Sequence, residues 1–391
     1  MKKLLSLCMA LVLCLSLLPV TALAVGEPAT LYVGNKQVIS STETTYWTTD
    51  ASGTLTQSNE NGTWNVKYDP STATLTLKNA TIKTTATYSQ GAVIYARSAG
   101  GSAVSLTINL EGTNKIECDT ASYGIYVNAE MSNDNYGTDA SLTITGTGSL
   151  AVSGSTHGIW VKSGSGNASL TINNASVEAN ITSTDPYRAG VYVQSSTKAS
   201  VSPNLSLAVN GGSLTASGGE SSDGIWFYVG SSQASNATTS LTISDNAIVR
   251  AENGIKAERV DEPTPSGTGI VFDGGTGTVY GEVTLDESLT INEGETLTIP
   301  QGSTLNTGDK LTNNGTINVE SGGTLTGEPG GNVVYAPTIT THPKNVEVKE
   351  NETATFTVEA TGSDLSYQWQ QSTDNGSTWT DISGATSSSY T

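Results

Sequence analysis

The chain is poor in cysteine, in basic residues and in long apolar runs. It has 3 cysteines in 391 residues. Cys8 and Cys14 lie in the first 24 residues, where Lys2 and Lys3 precede an apolar run from Leu4 to Leu18 and Ala22-Leu23-Ala24 offers a small-x-small cleavage site. Residues 1–24 are therefore expected to be a secretory signal peptide, since the run is too short and wrongly flanked for a membrane anchor. Leu13 is too bulky to precede a lipoprotein cysteine. Loss of this segment leaves Cys118 alone, which excludes an intrachain disulfide, and strand alternation turns that thiol inward as an inert core residue. No membrane insertion is expected of the remainder. Lys and Arg number 17 against 36 Asp and Glu. That imbalance excludes nucleic acid and anionic membranes as natural partners, and it counts against unassisted binding of a polyanionic glycan. Apolar spacing of 3.6 is also lacking, which excludes a helical repeat.

What the chain does have is self-similarity. Ser105-Leu106-Thr107-Ile108 recurs at Ser141–Ile144, Ser169–Ile172 and Ser240–Ile243, and more loosely at Ser206–Val209. Gly124-Ile125-Tyr126-Val127 recurs as Gly158-Ile159-Trp160-Val161, Gly190-Val191-Tyr192-Val193 and Gly224-Ile225-Trp226. The period is about 33 residues, in the range of repeat architectures. Each copy carries three short alternating runs, so each predicts three strands with one face buried. Three strands per repeat, parallel from copy to copy, describe an all-β solenoid. The 42 glycines suit its many turns.

The expected organisation follows the chain. Residues 25–90 form an N-terminal cap and first coil, with a hairpin around Asp69-Pro70-Ser71-Thr72. Residues 91–260 are the long coils, with variable loops such as Met131 to Asp139 and Ser195 to Pro203. Residues 261–330 shorten the period, with Leu289, Leu297, Leu305, Leu311, Ile317 and Leu325 spaced by 6 to 8, and are expected to continue the same stack. Residues 331–337 are a Gly-rich linker ending at Pro337. Residues 338–391 change character and resemble a bacterial immunoglobulin-like domain, with Trp369 matching the buried strand-C tryptophan and Phe356 and Val358 apolar nearby. The run ends before strands F and G, so a partial sandwich and a longer natural chain are expected.

Residues ~30–260 resemble the secreted carbohydrate-binding β-helix proteins of Gram-positive anaerobes. Leu31-Tyr32-Val33-Gly34, the Tyr68-Asp69-Pro70 hairpin, Leu75-Thr76-Leu77-Lys78-Asn79-Ala80-Thr81-Ile82 and the two repeat families carry the resemblance. It implies a right-handed parallel β-helix of the pectate-lyase type, polysaccharide binding without catalysis, and calcium as the one cofactor left open. A secreted or cell-surface polysaccharide-binding protein, for plant cell-wall or another extracellular glycan, is the resulting expectation. The alternative is a surface adhesin or a stalk that spaces a distal head.

Catalysis is poorly supported by the residues. β-Helix glycosidases set two or three carboxylates on neighbouring coils. The chain has no Asp-Asp pair and no Asn-Thr-Asp run. His157 falls where other coils carry Tyr123, Ala189, Asp223 and Asn253, so it reads as a variable corner residue. A lyase base could come from Arg97, Arg188 or Arg250, but no basic cluster accompanies them. Asn133-Asp134-Asn135-Tyr136-Gly137-Thr138-Asp139 is rich in oxygen ligands, yet its spacing is not that of an EF-hand loop. A hydroxyl column, Thr76, Thr107, Thr143, Thr171, Ala208 and Thr242, reads as a soluble sheet face of good strand formers. The candidate site is a second column: Tyr95, Tyr126, Trp160, Tyr192 and Trp226. Flanking aliphatics point inward, so these rings point outward, one per coil. Two uses stay open. The rings could lie against a sugar chain running along the strip, with Asp223 and His157 as polar neighbours, or stack on one another and show only edges.

Overall fold

The computed structural model describes residues 26–39, 43–84, 91–118, 123–129, 138–183, 185, 187–196, 201–219, 222–230 and 236–391. The signal segment and the oxygen-rich run at 133–137 lie outside the described residues. Within them the fold is all-β, with long parallel sheets and no helix.

The repeats become parallel ladders. Strands Val104–Glu111, Ala140–Gly146, Ala168–Ile181, Asn204–Ser217 and Thr238–Glu252 pair in register, so that Leu106, Leu142, Leu170, Leu207 and Leu241 are successive neighbours. A second ladder joins Ala92–Arg97, Tyr123–Asn128, His157–Ser163, Ala189–Ser195, Ile225–Val229 and Ile255–Glu258. A third joins Thr81–Thr84, Thr113–Cys118 and Ser149–Gly154, and runs on into the later half of Ala168–Ile181. Leu106 and Ile108, Ile116, and Ile125 and Val127 come from the three ladders and share one apolar cluster. This arrangement is compatible with a β-solenoid. Cys118 is partly buried against the cluster.

The turn glycines are dictated by how closely the ladders approach. A Cβ on Gly190 would meet the carbonyl oxygen of Ala179 at 2.3 Å and the amide nitrogen of Ser217 at 2.7 Å. One on Gly124 would lie 2.2 Å from Val152 Cγ1, and one on Gly224 would lie 2.4 Å from the Ala216 carbonyl. These are contacts with backbone and packed core, which cannot yield as a flexible side chain could.

The N-terminal hairpin forms as expected. Val66–Asp69 and Thr74–Lys78 pair antiparallel, and the Asp69 carboxylate accepts from the Ser71 amide and hydroxyl in the turn between them. Thr74–Lys78 then enters the first ladder beside Val104–Glu111. Its register places Thr74, not Thr76, opposite Thr107; Thr76 is buried opposite Asn109. Thr30–Val33 lies antiparallel on Ala92–Arg97 and covers the open edge of the second ladder.

The expectation of one uninterrupted stack is corrected after residue 260. Pro265–Asp273 continues the first ladder in parallel, then folds back antiparallel on Thr276–Tyr280. The short coils that follow pair in parallel through Thr296–Ile299, Thr316–Val319 and Asn332–Tyr335, and enclose a separate apolar cluster. Alternation explains the junction. Val271 faces the first cluster, whereas Ile270 and Phe272 face the second. Arg250 is a tie between the two. Its guanidinium lies 3.9 Å from the Phe272 ring centre, donates to the Thr290 carbonyl at 2.8 Å and pairs with Glu295. That residue is accordingly engaged in packing and is no candidate base.

Residues 338–391 form short antiparallel pairs: Thr338–Thr341 with Glu359–Thr361, Phe356–Thr357 with Ser389–Tyr390, and Gln370–Gln371 with Thr380–Asp381. Trp369 is only half-buried, sits between Phe356 and Tyr390, and donates its indole N–H to the Ser387 carbonyl at 2.8 Å.

The glycine contacts generate a stability prediction. Gly190→Ala should destabilise the fold by about 2–4 kcal/mol, as expected of overpacking against backbone. Gly275→Ala, whose Cβ would meet nothing closer than 3.8 Å, should change stability by less than about 0.5 kcal/mol. Urea denaturation of both variants measures the difference; equal effects would show that inter-ladder contact is not what selects glycine.

Candidate carbohydrate groove

The aromatic column stands in register on the second ladder. Tyr95 pairs with Tyr126, Tyr126 with Trp160, Trp160 with Tyr192, and Tyr192 with Trp226. The column is longer than the sequence suggested, because Tyr32 of the covering strand lies opposite Tyr95 and Lys256 lies opposite Trp226. All five rings turn away from the main apolar core and form satellite clusters of their own.

They do not form an exposed strip; the rings stack on one another, the second of the two arrangements the sequence leaves open. Tyr95, Tyr126, Tyr192 and Trp226 are 3%, 5%, 8% and 4% exposed. Trp160 alone is half-exposed. The reason is ring against ring. Tyr126 and Trp160 stack at 4.2 Å with 9° between planes, and Tyr192 and Trp226 lie 5.0 Å apart. Parallel strands bring successive side chains to about 4.8 Å, the spacing of stacked rings, so a continuous column buries its own faces.

A second aromatic column was hidden in the sequence. Gly124 points at the core residue Val152 and Ile125 is itself in the core, so two successive residues face inward and the alternation breaks at the glycine. Tyr123 is thereby placed on the aromatic face, 5.2 Å from Tyr126 and 4.8 Å from Trp160. His157, in register with Tyr123, lies on the same face between Tyr123 and Tyr192. Only the broken alternation at the repeat glycine could have revealed this. A third column, Lys162, Gln194, Tyr228 and Glu258, flanks the rings on the other side. Simple extension of the alternation by two positions finds it.

Between these columns lies a groove of about 440 Å³. Its floor is Trp160, Tyr192 and Trp226; Lys162, Gln194, Tyr228 and Glu258 form one wall, and Tyr123, His157 and Arg188 belong to the other. The Trp160 indole N–H donates to Gln194 Oε1 at 3.1 Å, which fixes the ring edge, while Tyr126 stacks on the ring and Lys162 Nζ lies 5.4 Å from its centre. Lys256 Nζ lies 4.3 Å from the centre of Trp226 and 3.8 Å from the Asp223 carboxylate. Burial raises the Asp223 carboxyl above its ordinary value, against the opposing pull of Lys256. Arg188 pairs with Asp185 at 3.2 Å. Arg97 lies two positions beyond Tyr95 on the ladder, well along it from the groove. Among the described residues no group of three or more His, Cys, Asp or Glu side chains is placed to share a metal ion, and no helix is long and apolar enough to cross a membrane.

A family model described as a domain of unknown function (DUF8696) matches residues 338–391. No curated protein and no solved structure matches the chain.

His157 supplies a pH prediction. It is 5% exposed, and its Nδ1 accepts the Ala189 amide hydrogen at 3.1 Å. Burial pushes its pKa down to about 3, with the charge on Arg188 acting in the same direction. The unfolded chain, with histidine near 6.5, takes the proton first, so the contribution is full above pH 6.5 and is lost as pH falls toward 3. His157→Gln keeps an acceptor and removes the titration. Between pH 7 and pH 5 the native protein should lose about 2 kcal/mol relative to this variant. Paired denaturation curves at the two pH values check it, and parallel losses in both proteins would disprove the assignment.

Proposed function

We propose that the chain is a secreted or cell-surface protein that binds polysaccharide without transforming it, and that the Trp160 groove is where it does so. The observation that carries this reading is the partly exposed Trp160 ring, held at its edge by Gln194 and sharing one groove with Lys162, Tyr228, Glu258 and Arg188. Sugar rings offer C–H faces that suit an aromatic plane, while their hydroxyls need donors and acceptors at its rim. The parallel ladders around one apolar cluster support the finer assignment of a right-handed pectate-lyase-like β-helix for residues 30–260. The antiparallel pairs around Trp369 support an immunoglobulin-like arrangement for 338–391. Calcium has no part in the proposed contact, which uses side chains of this chain alone.

A second reading, as an adhesin or stalk, draws on the C-terminal segment. Trp379 and Ile339 there are 59% and 50% exposed, and apolar side chains at a surface suit a protein partner. Binding to a protein ligand with no affinity for any glycan would favour it.

Two tryptophans of the column should behave differently. Trp160→Ala should cost about 1–3 kcal/mol through lost stacking, leave the protein folded, and weaken binding to its polysaccharide at least tenfold in a pull-down or titration. Trp226→Ala, at a buried ring, should cost about 3–5 kcal/mol of stability. Retained binding by a folded Trp160→Ala variant would remove the groove from the mechanism.

A further inference from the structure

We infer that the groove is an end-on pocket, one that takes the terminal sugar of a chain or the tip of a side branch rather than a stretch of main chain. The inference rests on the glycan-binding reading of the same site and specifies its substrate class.

The ring faces decide the matter. A main chain lying along the column needs consecutive open faces over several coils. Of the five rings in register only Trp160 is partly exposed, and Tyr126 and Lys162 already lie against it. Toward the N-terminal coils, Tyr126 is covered by Trp160 on one side and by Tyr95 and Tyr123 on others. Toward the C-terminal coils, Trp226 has Lys256 Nζ over its ring and Tyr228 against it at 80°, edge to face. Both directions along the column are therefore occupied by the protein's own side chains. The floor from Trp160 to Trp226 spans two strand spacings, about 10 Å. That length holds one or two sugar units. The volume of about 440 Å³ lies toward the small end of ligand pockets, roughly 300–1,000 Å³.

The two walls differ. The second column brings Tyr123 and His157 to the groove, whereas Ala189 in the next coil is fully buried and does not line it. Arg188 and the 69%-exposed Tyr187 stand at the rim of the groove. Polar groups converge on it from both walls: the guanidinium of Arg188 from one, Lys162, Gln194 and Glu258 from the other. A ring enclosed on two sides meets donors and acceptors around its whole edge, which suits a terminal residue with its free hydroxyls. An internal residue has two of those positions taken by linkages and needs an exit at both ends.

The test is a chain-length series on the full protein. Isothermal titration would use mono-, di-, tetra- and hexasaccharides from cellulose, xylan, mannan and galacturonan, with the parent polymers alongside. An end-on pocket predicts that affinity per chain end levels off by the disaccharide, with less than a threefold gain from there to the hexasaccharide. It also predicts that capping the non-reducing terminal residue lowers affinity at least tenfold for the sugar that binds. Affinity that climbs tenfold or more between di- and hexasaccharide, or is indifferent to capping, would overturn the end-on geometry while leaving glycan binding intact. No affinity for any member of the series or its polymer would instead overturn the glycan reading, and the end-on geometry with it.

Discussion

The structure depends on how closely its ladders approach one another at one point in each repeat. At Gly124, Gly158, Gly190 and Gly224 the neighbouring ladder stands where a side chain would begin. This contact fixes the corner of every coil, and so fixes the repeat length to within a loop. It also narrows the interior, which is filled by aliphatic residues of modest size such as Leu106, Ile108, Ile125 and Val127. Phe227, Tyr68 and Trp47 do enter that interior. The rings of the aromatic column stand instead on the outside of the second ladder. There they find one another at strand spacing and bury their own faces.

Two consequences compete on that outer face. Stacking stabilises the ladder by about 0.5–1.5 kcal/mol per favourable pair, and it removes the ring faces from any ligand. Binding needs a face left open. Of the five rings, the column leaves Trp160 alone partly exposed. His157 shows the same economy of space. Held neutral by burial, it stacks as an aromatic ring between Tyr123 and Tyr192, where a charged imidazole would carry a heavy desolvation cost.

Much of this was legible in the sequence because parallel ladders transmit register without error. Once Leu106, Leu142 and Leu170 were aligned, the side-chain directions of three columns followed from alternation alone. The aromatic column was readable for the same reason. Its burial was one of two arrangements left open, since exposure depends on neighbours two strands and two residues away, and one of those, Tyr123, lies beyond a break in the alternation. The groove was hidden for a related reason. Its walls come from columns on either side of the rings, and which of their residues stand clear depends on packing that alternation does not display. Thr76 was misplaced because the hairpin at residues 69–74 enters the ladder two residues out of step with the Leu-Thr-Ile pattern. The reversal at 273–276 was missed because short coils repeat with the same residue types in either direction.

That reversal bears on where a site can form. Pro265–Asp273 is a strand with two buried faces, Val271 serving one cluster and Ile270 and Phe272 the other. The short-coil unit therefore covers the outer side of the third ladder where it continues through the later half of Thr238–Glu252, fixed there by Arg250 and its partners. The second ladder is a different wall of the repeat, and the groove lies on it. The arrangement separates two tasks that a uniform stack would mix. One outer wall is given to packing, and is built from Ile248, Phe272 and a salt bridge. The other is given to rings and polar side chains that face outward on short strands flanked by loops of variable length. Sequence change is free in those loops and at outward positions, and strongly restrained at the glycines and the aliphatic columns. A fold with this division can exchange outward residues of the second ladder, such as Lys162 or Gln194, without touching the contacts that hold the coils together.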